Sequence, residues 1–295
     1  MDPISQILQT HRLHAQVFHN AKYCGAFNVD TSQTGKVPFH IVTSGECFLT
    51  VPGDSPVKLS AGDLILLNRV NEHHLSDSPT ITVPPNSAQS VSFEQAGEQG
   101  TGLVCGFMEF DHLASNPLLD SLPDYLVIKS QEEPWCFHLS SILQVLIKES
   151  LTNGPGAQVT LNRLTDVIFV LILREHVTKS TQQQGLMAAL ADPKIALALK
   201  AIYSDLTKDW DVELLAQIAA MSRSAFAKRF KALLDTSPKL FLTQLRMENA
   251  YRRLRDHNAS IIEVALECGY ATEAAFAKAF KRVLGKPPGA VKKHQ

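Results

Sequence analysis

With 295 residues, 45% of them apolar, and a mean hydropathy of −0.02, the chain reads as a soluble protein with room for two domains, which excludes a disordered or fibrous class. Its net charge of −1 joins two unlike parts: residues 1–190 carry 10 Lys and Arg against 18 Asp and Glu, residues 191–295 carry 18 against 11. Only the second part is suited to a polyanion such as nucleic acid.

The N-terminus, "MDPISQILQTHRLH", lacks the basic start and apolar run of a signal peptide. Five scattered cysteines (Cys24, Cys47, Cys105, Cys136, Cys268) do not make a disulfide framework, and a cytoplasmic location is expected. From about Tyr23 to Phe110 the pattern is one of strands: "PFHIVT" and "CFLTVP" joined at Ser44-Gly45-Glu46, then "VKLSAGDLILL" turning at Gly62-Asp63. Ser76 to Gly102 is rich in Pro, Ser and Gly and reads as a loop, after which "TGLVCGFMEF" returns as a buried strand. Counting from the hairpin turn puts Cys47 on the same face as Val42.

After Pro134 the period becomes helical. Ile142, Leu143, Leu146 and Ile147 share one face, as do Leu161, Leu164, Ile168, Leu171 and Ile172 beyond the break at "NGPGAQ". These helices carry more apolar surface than a short antiparallel pair needs, so a second copy of the chain is one expected cover and intramolecular core the other. "VIFVLIL" (Val167–Leu173) is too short to cross a bilayer, so no membrane partner is expected. "VTKSTQQQGLMAALADP" reads as a linker.

The C-terminal part repeats itself. "SRSAFAKRFKALLDTSP" (Ser222–Pro238) returns fifty residues later as "TEAAFAKAFKRVLGKPP" (Thr272–Pro288). Each copy opens on a hydroxyl residue suited to an N-cap and buries two phenylalanines at i and i+4: Phe226 with Phe230, Phe276 with Phe280. Each follows a short amphipathic helix, "DVELLAQIAA" and "SIIEVALEC". Helix, tight turn, then a capped helix with lysines off its apolar face is the helix-turn-helix pattern, and it occurs twice. "PKLFLTQLRMENAYRRLRDH" bridges the copies as a continuous helix. Two reading helices on one bridge suit double-stranded DNA without requiring a dimer.

These residues, especially "LLAQIAAMSRSAFAKRF" and "GYATEAAFAKAFKRVLGKPPG", resemble the paired helix-turn-helix domain of the AraC/XylS transcription regulators. The resemblance implies base-facing positions at Ser224, Ala227 and Lys228 in the first helix and at Glu273, Ala274, Ala277 and Lys278 in the second. Ser222, Thr272, Arg223, Lys231, Lys281 and Arg282 then lie nearer the phosphates. The lysines suit guanine, the alanines thymine methyls, and Glu273 a cytosine amino group. Ala220 stands where the family often has Gly, so its turn must avoid positive φ or accept strain.

"FHIVTSGECFLTVPGDSPVKLSAGDLILLNRVNEHHLSD" is similar to the cupin-like sensor domains attached to some of these regulators. Gly62 and His73 keep part of the second cupin motif, but Asn68 and Val70 depart from it, and the first motif's His-x-His and Glu are absent. The resemblance therefore implies an α+β chain: a cupin-like β-barrel sensor (1–134), a helical dimerisation or linker segment (135–190) and an all-α double helix-turn-helix domain (191–295). The reading is a non-enzymatic DNA-binding regulator, more an activator than a repressor, with RNA polymerase and a second copy as partners. Its effector is a small molecule, a metal or an oxidant. The alternative is a metal-dependent cupin enzyme with a DNA-binding tail. His40, His73 and Cys105 are candidates for a zinc site, and Cys24 and Cys47 for effector or redox chemistry. Buried cysteine as a plain small hydrophobe and histidine as a satisfied core residue are the competing readings.

Overall fold

The computed structural model describes residues 13–32, 36–68, 72–92, 99–110, 122–130, 137–152, 154–179, 184–256 and 259–291, with short stretches at 4–5, 7–8 and 119. Val70, residues 93–98 of the Pro/Ser/Gly-rich stretch and the 134/135 domain boundary lie outside the described residues. Two compact units emerge, Leu13–Glu109 with Leu122–Glu175, and His176–Gln295. The helical segment after Pro134 is thus shared: its first helix and most of its second group with the strands.

Among the described residues the first unit holds ten strands: β1 (Leu13–Tyr23), β2 (Asn28–Val29), β3 (Val37–Ser44), β4 (Glu46–Thr50), β5 (Val57–Ser60), β6 (Leu64–Leu67), β7 (His74–Ser76), β8 (Ser90–Val91), β9 (Thr101–Phe110) and β10 (Tyr125–Ile128). They form a six-stranded sheet, β10-β6-β3-β9-β1-β8, and a four-stranded sheet, β2-β7-β4-β5. Side chains from both sheets, among them Val42, Cys47, Leu49, Leu59, Ile65, Leu75, Leu103 and Cys105, close one apolar core between them. This is the cupin-like architecture that the resemblance implied. Cys47 does share the core with Val42.

The strands begin ten residues earlier than the sequence suggested. "LHAQVFHNAKY" is too polar for an obvious strand because, apart from Lys22 and Tyr23, which pair with β8, its outer edge is satisfied by helices rather than by another strand. Along α2 (Ala157–Lys179), Gln158, Asn162 and Asp166 stand four residues apart and share a face. Asp166 Oδ1 accepts from the Ala15 N–H at 2.7 Å, Asn162 Oδ1 accepts from the Val17 N–H at 2.9 Å, and Gln158 Nε2 donates to the Val17 carbonyl at 2.6 Å. Asn20 Nδ2 donates to the Ser150 carbonyl of α1 (Phe137–Thr152) at 2.8 Å. A polar ladder thereby caps a sheet edge that would otherwise invite pairing with another chain.

The second unit is helical: α3 (Leu186–Ala191), α4 (Ile195–Ser204), α5 (Val212–Ile218), α6 (Arg223–Leu234), α7 (Pro238–Asp256), α8 (Ile261–Glu267) and α9 (Glu273–Leu284). The stretch read as a linker ends in α3, whose residues Leu186 to Leu190 are all buried. Gly185 N–H donates to the Leu233 carbonyl at 2.7 Å, tying the start of α3 to α6. No helix among the described residues is long and apolar enough to cross a membrane.

Candidate nucleic-acid interface and sensor site

The repeated sequence gives repeated geometry. Ser222 Oγ accepts from the Ala225 N–H, and Thr272 Oγ1 accepts from the Ala275 N–H, both at 3.3 Å, so each second helix starts on a side-chain cap. Phe226, Phe230, Phe276 and Phe280 are fully buried. The ring centroids lie 5.6 Å apart in the first pair and 5.4 Å in the second, with interplanar angles of 51° and 53°. Each helix ends on a left-handed residue, Asp235 (φ 50°) or Gly285 (φ 74°), whose N–H donates to the carbonyl of Lys231 or Lys281.

The apolar face being spent on the core, the other face is free. Ser222, Arg223, Ser224, Lys228 and Lys231 of the first copy are exposed, as are Thr272, Glu273, Ala274, Lys278, Lys281 and Arg282 of the second. Ala227 and Ala277, one residue past each leading phenylalanine, are half-buried and offer only a methyl. None of these lysines and arginines forms an ion pair within the described residues, so their charge is available to a polyanion.

One residue of the bridging helix escaped the sequence reading. Arg246, in the bridging helix α7, donates from Nε to the Leu206 carbonyl at 2.8 Å and from Nη2 to the Lys208 carbonyl at 2.7 Å. The Cys268 thiol at the turn of the second motif faces the Arg246 carbonyl at 3.6 Å, so one residue of the bridge joins the loop before α5 to the turn of the second motif. Burial raises the Cys268 thiol to about 12. Arg246 and Trp210 line a groove of about 390 Å³ between the halves, with Arg223, Lys239 and Tyr270. The signal was present in the arginine-rich bridge but gave no means of telling this anchor from its exposed neighbours.

In the sheet unit the structure brings some candidates together and separates others. His40 and Cys105 are direct cross-strand partners on β3 and β9. His40 Nε2 and His73 Nε2 lie 3.3 Å apart, and Thr31 Oγ1 is 3.3 Å from the first and 2.9 Å from the second. Thr31, in the loop after β2, carried no sequence signal. Burial, reinforced by the neighbouring His73 and His19, holds His40 well below the ordinary imidazole range. Burial likewise brings His73 down to about 4 against the opposing pull of Asp30. Both rings are neutral at pH 7, and neither Nδ1 has a hydrogen-bond partner within the described residues.

The three candidate zinc ligands, His40, His73 and Cys105, have different surroundings. His40 and His73 meet at a threonine hydroxyl, and no group of three or more His, Cys, Asp or Glu able to hold a metal ion occurs among the described residues. Cys105 instead packs among apolar core side chains, where burial and the nearby Cys47 raise its thiol pKa far above the ordinary range. Cys47 is pushed up to about 12, chiefly by burial. Protonated, enclosed thiols are poor nucleophiles. Cys24 is exposed, whereas Cys47 is buried.

A family model described as cupin matches residues 2–178, and a helix-turn-helix domain model matches residues 215–294. A protein of Streptomyces lividans named as an AraC-like transcription regulator is 34% identical, the alignment covering 100% of this chain and 99% of that one. An HTH-type transcriptional regulator of Haemophilus influenzae is 28% identical over 99% of both chains. The RCS-specific HTH-type transcriptional activator RclR of Escherichia coli is 26% identical over 98% of this chain and 96% of its own.

Proposed function

We propose that this chain, which belongs to the AraC-like transcription regulators, reads one duplex site with both α6 and α9 and activates transcription in response to a signal received by its cupin-like unit. The observation that carries the reading is the pair of matched, capped helices whose exposed faces bear unpaired cations. Lys228 and Lys278 stand six residues past the caps Ser222 and Thr272, where a side chain reaches base edges, while Arg223, Lys231, Lys281 and Arg282 flank them towards the phosphates. Half-buried Ala227 and Ala277 limit hydrogen-bonded readout, so DNA shape carries part of the specificity.

Activation rests on the likeness to an activator at 26% identity. RNA polymerase as partner, a homodimer through residues 135–190, and a cytoplasmic location belong to the same reading. In support of the dimer, Val145 of α1 and Val159 and Val167 of α2 remain exposed. The divisions at residues 134 and 190 are part of the proposal. A small molecule is favoured over an oxidant as the signal, because the two core thiols are held protonated.

The test is selection of a binding site from random duplexes by the full chain, followed by titration across salt concentrations. A site that engages both helices shields two successive major-groove segments and shows a steep salt dependence. A footprint confined to one segment removes the two-headed reading.

A further inference from the structure

The sheet unit also contains a half-open pocket, apart from the place where His40 and His73 meet. It is a cavity of about 400 Å³ lined by Thr43, Ala61, Gly62, Ser130, Ser140, Leu143, Gln144 and Ile147. Its floor (Thr43, Gly62 and Leu143) is buried, and its rim (Ala61, Ser130 and Gln144) is exposed.

Local structure explains why the space exists. On α1, Ser140, Leu143, Gln144 and Ile147 fall at i, i+3, i+4 and i+7, one face of a helix. Across from them, the β3–β9 register slips between Val42 and Ser44, leaving Thr43 as the extra residue of a β-bulge. Bulges re-aim a side chain and recur beside binding sites. Thr43 as a residue is only 6% exposed, and its hydroxyl has no hydrogen-bond partner within the described residues. A buried hydroxyl without a partner costs stability that a ligand atom in hydrogen-bonding reach restores.

The wall is firmly built. The carboxylate of buried Asp63 accepts from the Ser60 N–H at 2.9 Å, the Ser130 N–H at 2.9 Å and Lys129 Nζ at 3.1 Å. Gly62 N–H donates to the Val42 carbonyl at 2.8 Å. Gly62 sits at φ 95°, and a Cβ there would come within 2.8 Å of Ser130 Oγ, so the turn closes tightly on the rim.

Among the described residues, no charged side chain lines the cavity. Hydroxyls and one amide stand on one part of the lining, and Leu143 and Ile147 on another. We infer that this cavity is a binding site for a small uncharged molecule, of single-ring or short-chain size, with one hydroxyl or carbonyl at the Thr43 end and an apolar body against Leu143 and Ile147. Such a ligand joins the bulge of β3 to α1. The inference goes beyond the regulator reading and is measured without DNA, so either can fail while the other stands.

The probe is 4-fluorobenzyl alcohol, titrated into the full chain and followed by fluorine NMR, with 4-fluorotoluene and 4-fluorobenzoate as matched analogues. The alcohol should bind saturably, with both analogues at least about tenfold weaker, one for want of the hydroxyl and the other for its charge. Thr43→Val should weaken the alcohol about tenfold and leave 4-fluorotoluene unchanged. Gln144→Trp, at an exposed rim position that does not endanger folding, should abolish binding of the alcohol. Absence of saturable binding by the alcohol, equal binding of the benzoate or the toluene, or binding untouched by Gln144→Trp overturns the assignment.

Discussion

The two helix-turn-helix halves are near copies, and the places where they differ show what each half is fastened to. In the shared core "AFAK-x-FK", the variable position is Arg229 in the first copy and Ala279 in the second. Arg229 reaches Asp192 Oδ2, at 2.7 Å from Nε and 2.6 Å from Nη2. Asp192 Oδ1 meanwhile accepts from the Lys194 and Ile195 N–H groups at the start of α4. Ala279 makes no such reach and packs into the cluster of α7, α8 and α9. The first half is pinned to the helices before it by a charge-assisted contact, while the second closes its core with a methyl. The turns differ too. Ala220 takes φ 49° in the first motif where Gly269 takes φ 81° in the second, so the strain anticipated from the sequence is present.

The strongest test of this equivalence removes the shared anchor. Phe230→Ala and Phe280→Ala should each cost about 3–5 kcal/mol, read as a fall in the melting temperature of the helical unit and as loss of DNA binding. A large effect from only one of them would show that a single half carries the fold of the unit.

Next comes the reading face. Lys228→Ala and Lys278→Ala should each weaken specific binding by about 1–3 kcal/mol and relax specificity at the contacted base. Lys231→Ala should weaken specific and random DNA alike and lower the salt slope by about one. Competition titrations against random duplex separate the two patterns, and a loss confined to the specific site on Lys231→Ala would reverse the assigned roles.

The fastening of the first half should be acid-sensitive. Burial alone would raise the Asp192 carboxyl, but hydrogen bonds from the Ile195 N–H, the Arg229 guanidinium and the Lys194 N–H carry it below the ordinary range. A depressed carboxyl stabilises the fold above its unfolded value, about 3.9, and that contribution disappears as pH falls through the folded value. Asp192→Ala should therefore cost about 1–2 kcal/mol at pH 7. Well below pH 4 the melting temperatures of mutant and parent should converge, and a cost that persists there would assign the residue a purely steric role.

The smallest effect concerns the turns. Ala220→Gly relieves a left-handed alanine but frees the unfolded chain, for a net gain of about 0.5–1 kcal/mol. Gly269→Ala should go the other way by about 1–2 kcal/mol. Opposite signs in denaturant titrations confirm that both motifs demand the same turn; equal signs would mean that the turns are built differently.

The DNA-reading half was legible because its information is local. The caps at Ser222 and Thr272, the phenylalanine spacing and the off-face lysines all follow from a 3.6-residue period within a dozen residues. The sheet unit was less so. β1 was missed because its pairing edge is satisfied by Gln158, Asn162 and Asp166, some 140–150 residues away. For the candidate zinc trio, period-two counting fixes a face but not which groups on that face converge. His40 found His73 and Thr31, while Cys105, though directly opposite, turned out to be core.

The amino-acid sequence by itself determined two helix-turn-helix motifs on a bridging helix, an acidic strand-rich unit ahead of a basic helical one, and the surface each reading helix presents. These depend on propensity, capping and periodicity, which act over a few residues. Only the tertiary structure decided which strand edge a helix would cap, which imidazoles would meet, and that a one-residue slip at Thr43 would leave a buried hydroxyl beside a cavity. Those outcomes depend on register and on the packing of segments far apart in the chain, where a shift of a single residue turns a side chain to the opposite face.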